Sequence, residues 1–304
     1  MGRLRVSVCA PPAASRTGHG RVWERALAEL SGLVRMVSRR PDVWLADGHG
    51  ELPDPAGRPI VAVVHEAPWD DPRTTAHLHP DFVAAMRQRL AAVRERASRI
   101  VVPSQAGRAQ LGLANVDVVP YGVDADVFRP GGARGEHVLF VGTAHPRKNL
   151  EGLRHAAAAI GRPLHAVVGA PADRPDAAEL YAHAVRPPLV LVDAPSDEDL
   201  ARAMASAAVL CLPSFSEGFG LPVLEAMACG TPVVVGDGGA LPEVVGDAGI
   251  VCAPEPEAIA EGLRRALADA GLGERGRARA LEFPWSRTAS GWLDALRRAV
   301  ESGP

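Results

Sequence analysis

A chain of 304 residues with 47% apolar content is long enough for two domains with full cores, and an aromatic share of only 4% says those cores are built from Val, Leu and Ala. A net charge of −3 gives no reason to expect nucleic acid, and the longest apolar runs are strand-sized, short of the roughly 18 residues that cross a bilayer. Four cysteines (Cys9, Cys211, Cys229, Cys252) lack CxxC spacing and read as buried thiols of a protein in a reducing cytoplasm.

In chain order, the opening residues read as a strand, because their apolar part is too short for a signal peptide. Strands are expected at Leu4–Ala10, Leu33–Val37, Val43–Ala46, Ile60–His65, Arg99–Pro103 and Val116–Pro120. Helices fit near Arg21–Leu30, Asp81–Ala97 (apolar at Phe82, Met86, Leu90 and Val93) and Gln105–Leu111. This alternation predicts an α/β fold with a mostly parallel sheet covered on both faces. Residues 1–130 hold 17 basic and 14 acidic side chains, leaving 16 and 22 for the rest. Arg87, Arg89, Arg94, Arg96 and Arg99 contribute to that excess, either as a solvated helix face or as a surface for a phosphorylated or membrane-bound acceptor.

The segment Arg129–Gly135, with Pro and three glycines, reads as a linker. Beyond it the alternation resumes, with strands expected at His137–Val141, Leu164–Gly169, Leu189–Val192, Val209–Leu212, Pro232–Val235 and Ile250–Cys252. Helices are expected near 149–160, 197–207, 222–229, 240–246 and 256–269. A last amphipathic segment, Ser286–Ala299, carries Trp292, Leu293, Leu296 and Val300 at helical spacing. The expected organisation is therefore a short first domain (1–130), a second domain (131–285) and a final helix (286–304). Two doubly wound sheets in tandem would face each other across a cleft, and ligands of such sheets bind outside the C-terminal ends of the strands.

That rule singles out a few residues. The apolar run Val209–Leu212 breaks at Pro213, a loop with two glycines follows, and Pro222 opens a helix, where its missing N–H costs nothing. Glu217 lies in the loop and Glu225 about one turn into the helix, around the positive end of its dipole. Two carboxylates beside an anion-attracting helix start suit a molecule with both hydroxyls and phosphate, as a nucleotide-sugar has. Arg147 and Lys148 stand where a strand leaves Gly142, turns through Pro146 and meets a helix, a place suited to a diphosphate. Lys148 is the only lysine among 33 basic residues, which suggests a position that needs a compact ammonium. His65, beside Glu66, ends a strand and could donate to a sugar hydroxyl or a phosphate oxygen. His77-x-His79 reads as a solvated loop, so no metal site is expected. Gly18 and Gly20 fit a plain loop or a close approach of backbone to ligand, and the run from Gly236 to Glu243 fits a tight strand-to-helix turn.

The ordered motifs VVHEAPW, RIVVPSQAGRAQL, VVPYGVDADVFRP, VGTAHPRKNL, the long run from PSDEDL to CGTPVV, GGALPEVVGDAGIVCAPE and FPWSRTA resemble the retaining glycosyltransferases of family four, with the GT-B fold. The resemblance covers about residues 60 to 300, with Glu217 and Glu225 as the Glu-x7-Glu signature. It implies that Glu217 contacts the donor sugar and Glu225 the ribose, while backbone around Phe219, Gly220 and Leu221 holds sugar and phosphate. Lys148 would neutralise the diphosphate, His65 would face the sugar, Val192–Ser196 would border the base, and the final helix would return to the first domain. Two departures stand out. Thr143 occupies the place where many relatives have an arginine, with Arg147 or a backbone contact as substitute, and the first domain is short for the family. The implied reaction is transfer of a sugar from a nucleoside diphosphate to a hydroxyl acceptor with retention, without cofactor or metal. The alternatives are a GT-B isomerase or hydrolase acting on the nucleotide-sugar, and a non-catalytic nucleotide-sugar-binding subunit.

Overall fold

The computed structural model describes residues 3–10, 18–76, 78–169, 189–192, 194 and 196–303. Thr17 of the TGHGRVW segment, His77 of the His-x-His pair, and Asp193 and Pro195 of the segment expected beside the base lie outside them. The chain divides into two compact units. The first comprises Met1–Asp70, Pro80–Gly122 and Phe283–Pro304, and the second Asp71–His79 and Val123–Glu282.

The first unit is built on strands β1 (Arg5–Cys9), β2 (Arg35–Met36), β3 (Val43–Asp47), β4 (Ile60–Val63), β5 (Arg99–Val102) and β6 (Val116–Val118). They pair in the order β2-β1-β3-β4-β5-β6, every neighbour parallel. All four residues of β4 are buried, as expected of a strand covered on both faces. The helix Gly18–Ser31 buries Val22, Trp23, Ala26 and Leu30. Gly18 and Gly20 therefore belong to its first turn and not to a loop.

The helix Pro80–Arg96 corrects the expected apolar stripe by one residue, because Val83, Met86, Leu90 and Val93 are its buried positions and Phe82 is only half-buried. The arginine face is corrected as well. Arg99 is on β5, where it binds Asp117 through Nε at 2.6 Å and Nη2 at 2.8 Å, while Arg87, Arg89, Arg94 and Arg96 are exposed on the helix.

The last helix, Trp285–Ser302, belongs to this first unit. Trp292 is fully buried with its ring 5.1 Å from that of Trp23, and Thr288 donates to the Pro120 carbonyl at 2.8 Å. Gly122 is required here by close approach, since a Cβ would stand 2.5 Å from the Trp285 nitrogen. Val300, expected on the apolar stripe, is exposed, and Ala299 is buried in its place.

The second unit carries β7 (Val138–Thr143), β8 (Leu164–Gly169), β9 (Leu189–Leu191), β10 (Val209–Leu212), β11 (Val233–Gly236) and β12 (Ile250–Cys252). Their order is β12-β11-β10-β7-β8-β9, again all parallel. Counted from β7 this is the open doubly wound order 3-2-1-4-5-6, whose direction of winding reverses between β7 and β10. The fully apolar β10 and β11 are wholly buried at its centre. The four cysteines are free, yet only Cys211 and Cys229 are buried, so the expectation of four buried thiols is corrected at Cys9 and Cys252. Burial is the main influence that pushes the Cys229 thiol up to about 12. No helix among the described residues is long and apolar enough to cross a membrane.

Candidate functional site

The reversal point of the second sheet is occupied by the residues that follow β7 and β10. After β7 the chain forms one 3-10 turn, Pro146–Lys148, capped by His145, whose Nδ1 accepts from the Arg147 N–H at 3.0 Å. Asn149 then adopts a left-handed backbone (φ 55°) before the helix Leu150–Ala159 begins. Its amide donates to the carbonyls of Pro213 at 3.3 Å and Pro254 at 2.8 Å, which ties this turn to the ends of β10 and β12. Gly152 makes room for that side chain, because a Cβ there would lie 2.5 Å from the Asn149 Oδ1.

Lys148 Nζ donates to Glu217 Oε1 at 2.6 Å, closing an ion pair across the β7/β10 switch point. Arg147 Nη1 lies 3.7 Å from Glu217 Oε2 and donates to the Ser216 carbonyl. The Glu217 side chain is 9% exposed and those of Lys148 and Arg147 are 14% and 12%. Burial alone would raise the Glu217 pKa, but the charges of Lys148 and Arg147 and the Lys148 hydrogen bond outweigh it and hold the carboxyl below its ordinary value. The lysine stem passes Gly142, where the Cδ would be 3.9 Å from an added Cβ.

The Glu217 loop is held from behind by the turn after β11. The Ala240 N–H donates to the Glu217 carbonyl at 2.9 Å. A Cβ at Gly238 would collide with the Phe215 carbonyl, and one at Gly239 (φ 67°) with the backbone of Glu217. The expected tight turn at Gly236 to Glu243 thus has a definite task, which is to let one strand-end loop lie against the next. Phe219 is buried, Gly220 caps the helix Leu221–Ala228 in a left-handed conformation (φ 104°), and Leu221 and Glu225 are buried on that helix. Thr143 ends β7, and Val192 follows β9, its N–H donating to Ala166 at 2.9 Å.

His65 lies in the first unit, at the C-terminal end of β4. Its side chain is 2% exposed, and its Nδ1 is 2.5 Å from the Tyr121 hydroxyl. Burial, with smaller contributions from His19 and His49, pulls its pKa well below the ordinary value, so the ring is neutral at neutral pH. His19 and His49 stack with it, ring centres 4.3 and 5.5 Å away. These neighbours, with Asp47 and Tyr121, are absent from the sequence reading. Asp47 ends β3 and His49 follows two residues later, so the strand-end rule that selected His65 would have found both.

Comparison with known proteins bears on the second unit first. Residues 135–269 match the model of the family Glycosyl transferases group 1. The matched segment covers most of the second unit and less than half of the chain. The D-inositol 3-phosphate glycosyltransferase of Frankia alni is 38% identical over 217 residues, 61% of this chain and 53% of that protein. The chain spans about half the length of the first curated relatives it matches. Among solved structures, the sucrose-phosphate synthase of Thermosynechococcus elongatus superposes with a TM-score of 0.79 at 19% identity, covering 99% of this chain and 100% of the other. Anabaena Alr3699/HepE in complex with UDP-glucose superposes at 0.74 and 15% identity, over 97% of this chain and all of the other. At such identities the likeness is one of fold, and the fold is of the GT-B type, with a Rossmann-like sheet in each unit. The matched segment holds Lys148, Arg147, Glu217 and Glu225, and Glu217 and Lys148 meet at the switch point of the second sheet.

Proposed function

We propose that the protein is a retaining glycosyltransferase that moves a sugar from a nucleoside diphosphate to a hydroxyl acceptor, with no divalent metal at the diphosphate. The observation that carries this reading is the Lys148–Glu217 ion pair at the point where strand order reverses, inside the segment that matches the group 1 glycosyltransferase model. The titles of the compared proteins support it too, since one relative is named for inositol 3-phosphate and one structure of the same fold holds UDP-glucose.

In this reading the pair is a resting state. A donor diphosphate draws the Lys148 ammonium towards its oxygens, and Glu217 accepts from a sugar hydroxyl in exchange. Glu225 accepts from the ribose. As the glycosidic bond breaks, charge grows on the leaving diphosphate, and Lys148 with the N–H groups at Gly220 and Leu221 stabilises it as preorganised electrostatics. Arg147 is committed to the Ser216 carbonyl, so its part is to hold the Glu217 loop and to add positive charge behind it. Thr143 offers a hydroxyl where many relatives of the expected family have a guanidinium, which leaves Lys148 as the principal cation. His65 of the first unit presents Nε2 to a substrate hydroxyl. A phosphate oxygen of the departing diphosphate takes the acceptor proton, on the face from which it leaves.

The test is transfer itself. The protein is incubated with nucleoside-diphosphate glucose or mannose, an inositol phosphate acceptor and EDTA, and the product's anomeric proton coupling is read by NMR. An α-linked product from an α-linked donor is expected. A β-linked product would refute retention, and loss of transfer in EDTA would refute metal independence.

A further inference from the structure

The first sheet has its own reversal of strand order, between β1 and β3, and the side chains beyond it form a cluster that the transfer reading does not use as a whole. Helix Gly18–Ser31 brings His19, the end of β3 brings Asp47 and His49, and the end of β4 brings His65. One ring nitrogen of each histidine lies within 4.8 Å of the others. His49 Nε2 is 3.0 Å from the Glu66 carbonyl. A carbonyl can only accept, so Nε2 carries a proton there, and Nδ1 is the nitrogen left to meet a ligand. That Nδ1 has no hydrogen-bond partner among the described residues, and neither has Nε2 of His65. Both nevertheless point at one atom, with Asp47 Oδ1 lying 3.7 Å from His49 Nδ1 and 3.8 Å from His65 Nε2.

These separations are too long for hydrogen bonds. Buried polar atoms that face one another without a hydrogen bond call for an explanation, and an ion bound between them supplies one. Two ligands held at about 2.0–2.2 Å from one tetrahedral zinc are separated by roughly 3.3–3.5 Å, close to what is observed. The outer nitrogens are also held as ligand histidines are held, His49 Nε2 by the Glu66 carbonyl and His65 Nδ1 by the Tyr121 hydroxyl at 2.5 Å. We propose that His19, His49 and His65, with Asp47, form a binding site for a divalent transition-metal ion of the zinc class. Three imidazoles and one carboxylate select such an ion over magnesium or calcium, which prefer all-oxygen shells. A bound ion would occupy the same Nε2 that the transfer reading gives to a substrate hydroxyl, so zinc would inhibit transfer, but binding is measured without reference to transfer.

The experiment is equilibrium dialysis of the full chain against Zn²⁺, together with the visible spectrum of the Co²⁺ form. One ion per chain is expected, with the intense visible bands of four-coordinate Co²⁺ and no thiolate charge-transfer band. His49→Ala should weaken zinc binding at least about 100-fold, and Tyr121→Phe, which removes only an outer partner, about 10-fold. Lys148→Ala, in the other unit, should bind zinc like the wild type. Absence of saturable binding by the wild type, an octahedral or thiolate Co²⁺ spectrum, or unchanged affinity in folded His49→Ala would overturn the proposal. The wild-type spectrum decides even where a variant does not fold.

Discussion

Lys148 and Glu217 neutralise each other in a nearly dry setting, so each single substitution should show in two measurements. Lys148→Ala removes the cation that the proposed transfer sets against the diphosphate and should lower turnover by about 10²–10³, the scale for losing one preorganised donor. It also leaves Arg147, 3.7 Å away, as the remaining cation beside the Glu217 carboxylate, and breaking a buried pair from one side costs up to about 3–5 kcal/mol. Adding Glu217→Gln to Lys148→Ala should therefore restore much of the lost stability in urea unfolding, while turnover stays low. A double variant as unstable as the single one would show that the pair is not coupled as described. Glu225→Ala should weaken a bare nucleoside diphosphate about 10- to 100-fold in calorimetry, the range for a lost hydrogen bond to a charged group. The pH dependence follows from the sign of the Glu217 shift. Its folded pKa lies below its ordinary value of 4.5, so the pair's contribution to stability is complete above that value. It is lost only as pH falls through the lower, folded value. Stability that began to fall well above pH 4.5 through this group, judged by comparison with Glu217→Gln, would contradict the assignment. Chemical type and strand-end position marked Lys148, Glu217 and His65 in the sequence. Asn149 was not marked, because its left-handed backbone and its bonds to Pro213 and Pro254 are 64 and 105 residues away in the chain.

At the level of elements, the site is a set of strand-end loops braced on each other, and glycine makes the bracing sterically possible. Gly239→Ala must both strain a left-handed backbone and push the Glu217 loop, so turnover should fall by more than the loss of stability explains. Gly57→Ala provides the comparison. Its φ of 75° carries the same strain, about 1 kcal/mol, but nothing lies within 4 Å of the added Cβ, so turnover should not change. Equal effects of the two substitutions on turnover would show that the β11 turn does not position Glu217. Apolar runs such as Val209–Leu212 and Ile60–Val63 made the buried parallel strands legible, because a strand covered on both faces has no polar alternation. The helix Pro80–Arg96 was legible as an element but not in register, since Phe82 and Val83 are adjacent and periodicity alone does not choose between them.

At the level of the whole molecule, the C-terminal helix is part of the first unit's core through Trp292, Leu296 and Thr288. Ending the chain at Glu282 should lower the protection of β1, β3, β4 and β5 in hydrogen exchange, with β7, β10 and β11 close to wild type. Loss confined to the second unit would contradict this division. The alternation of strands and helices revealed two sheets in the sequence. It did not reveal that two stacked neighbours of His65 come from the ends of other elements, because strand order is a property of the folded sheet.

The central claim, that the second unit binds a nucleoside-diphosphate sugar through Lys148 and Glu217, is tested most directly by thermal shift with UDP, GDP, ADP and dTDP sugars. A donor at 100 times its dissociation constant adds about 2.7 kcal/mol, which for a unit of this size is a rise of roughly 5–10 °C. The account predicts such a rise with at least one donor, and its loss in Lys148→Ala. No rise with any donor, or an equal rise in Lys148→Ala, would contradict it.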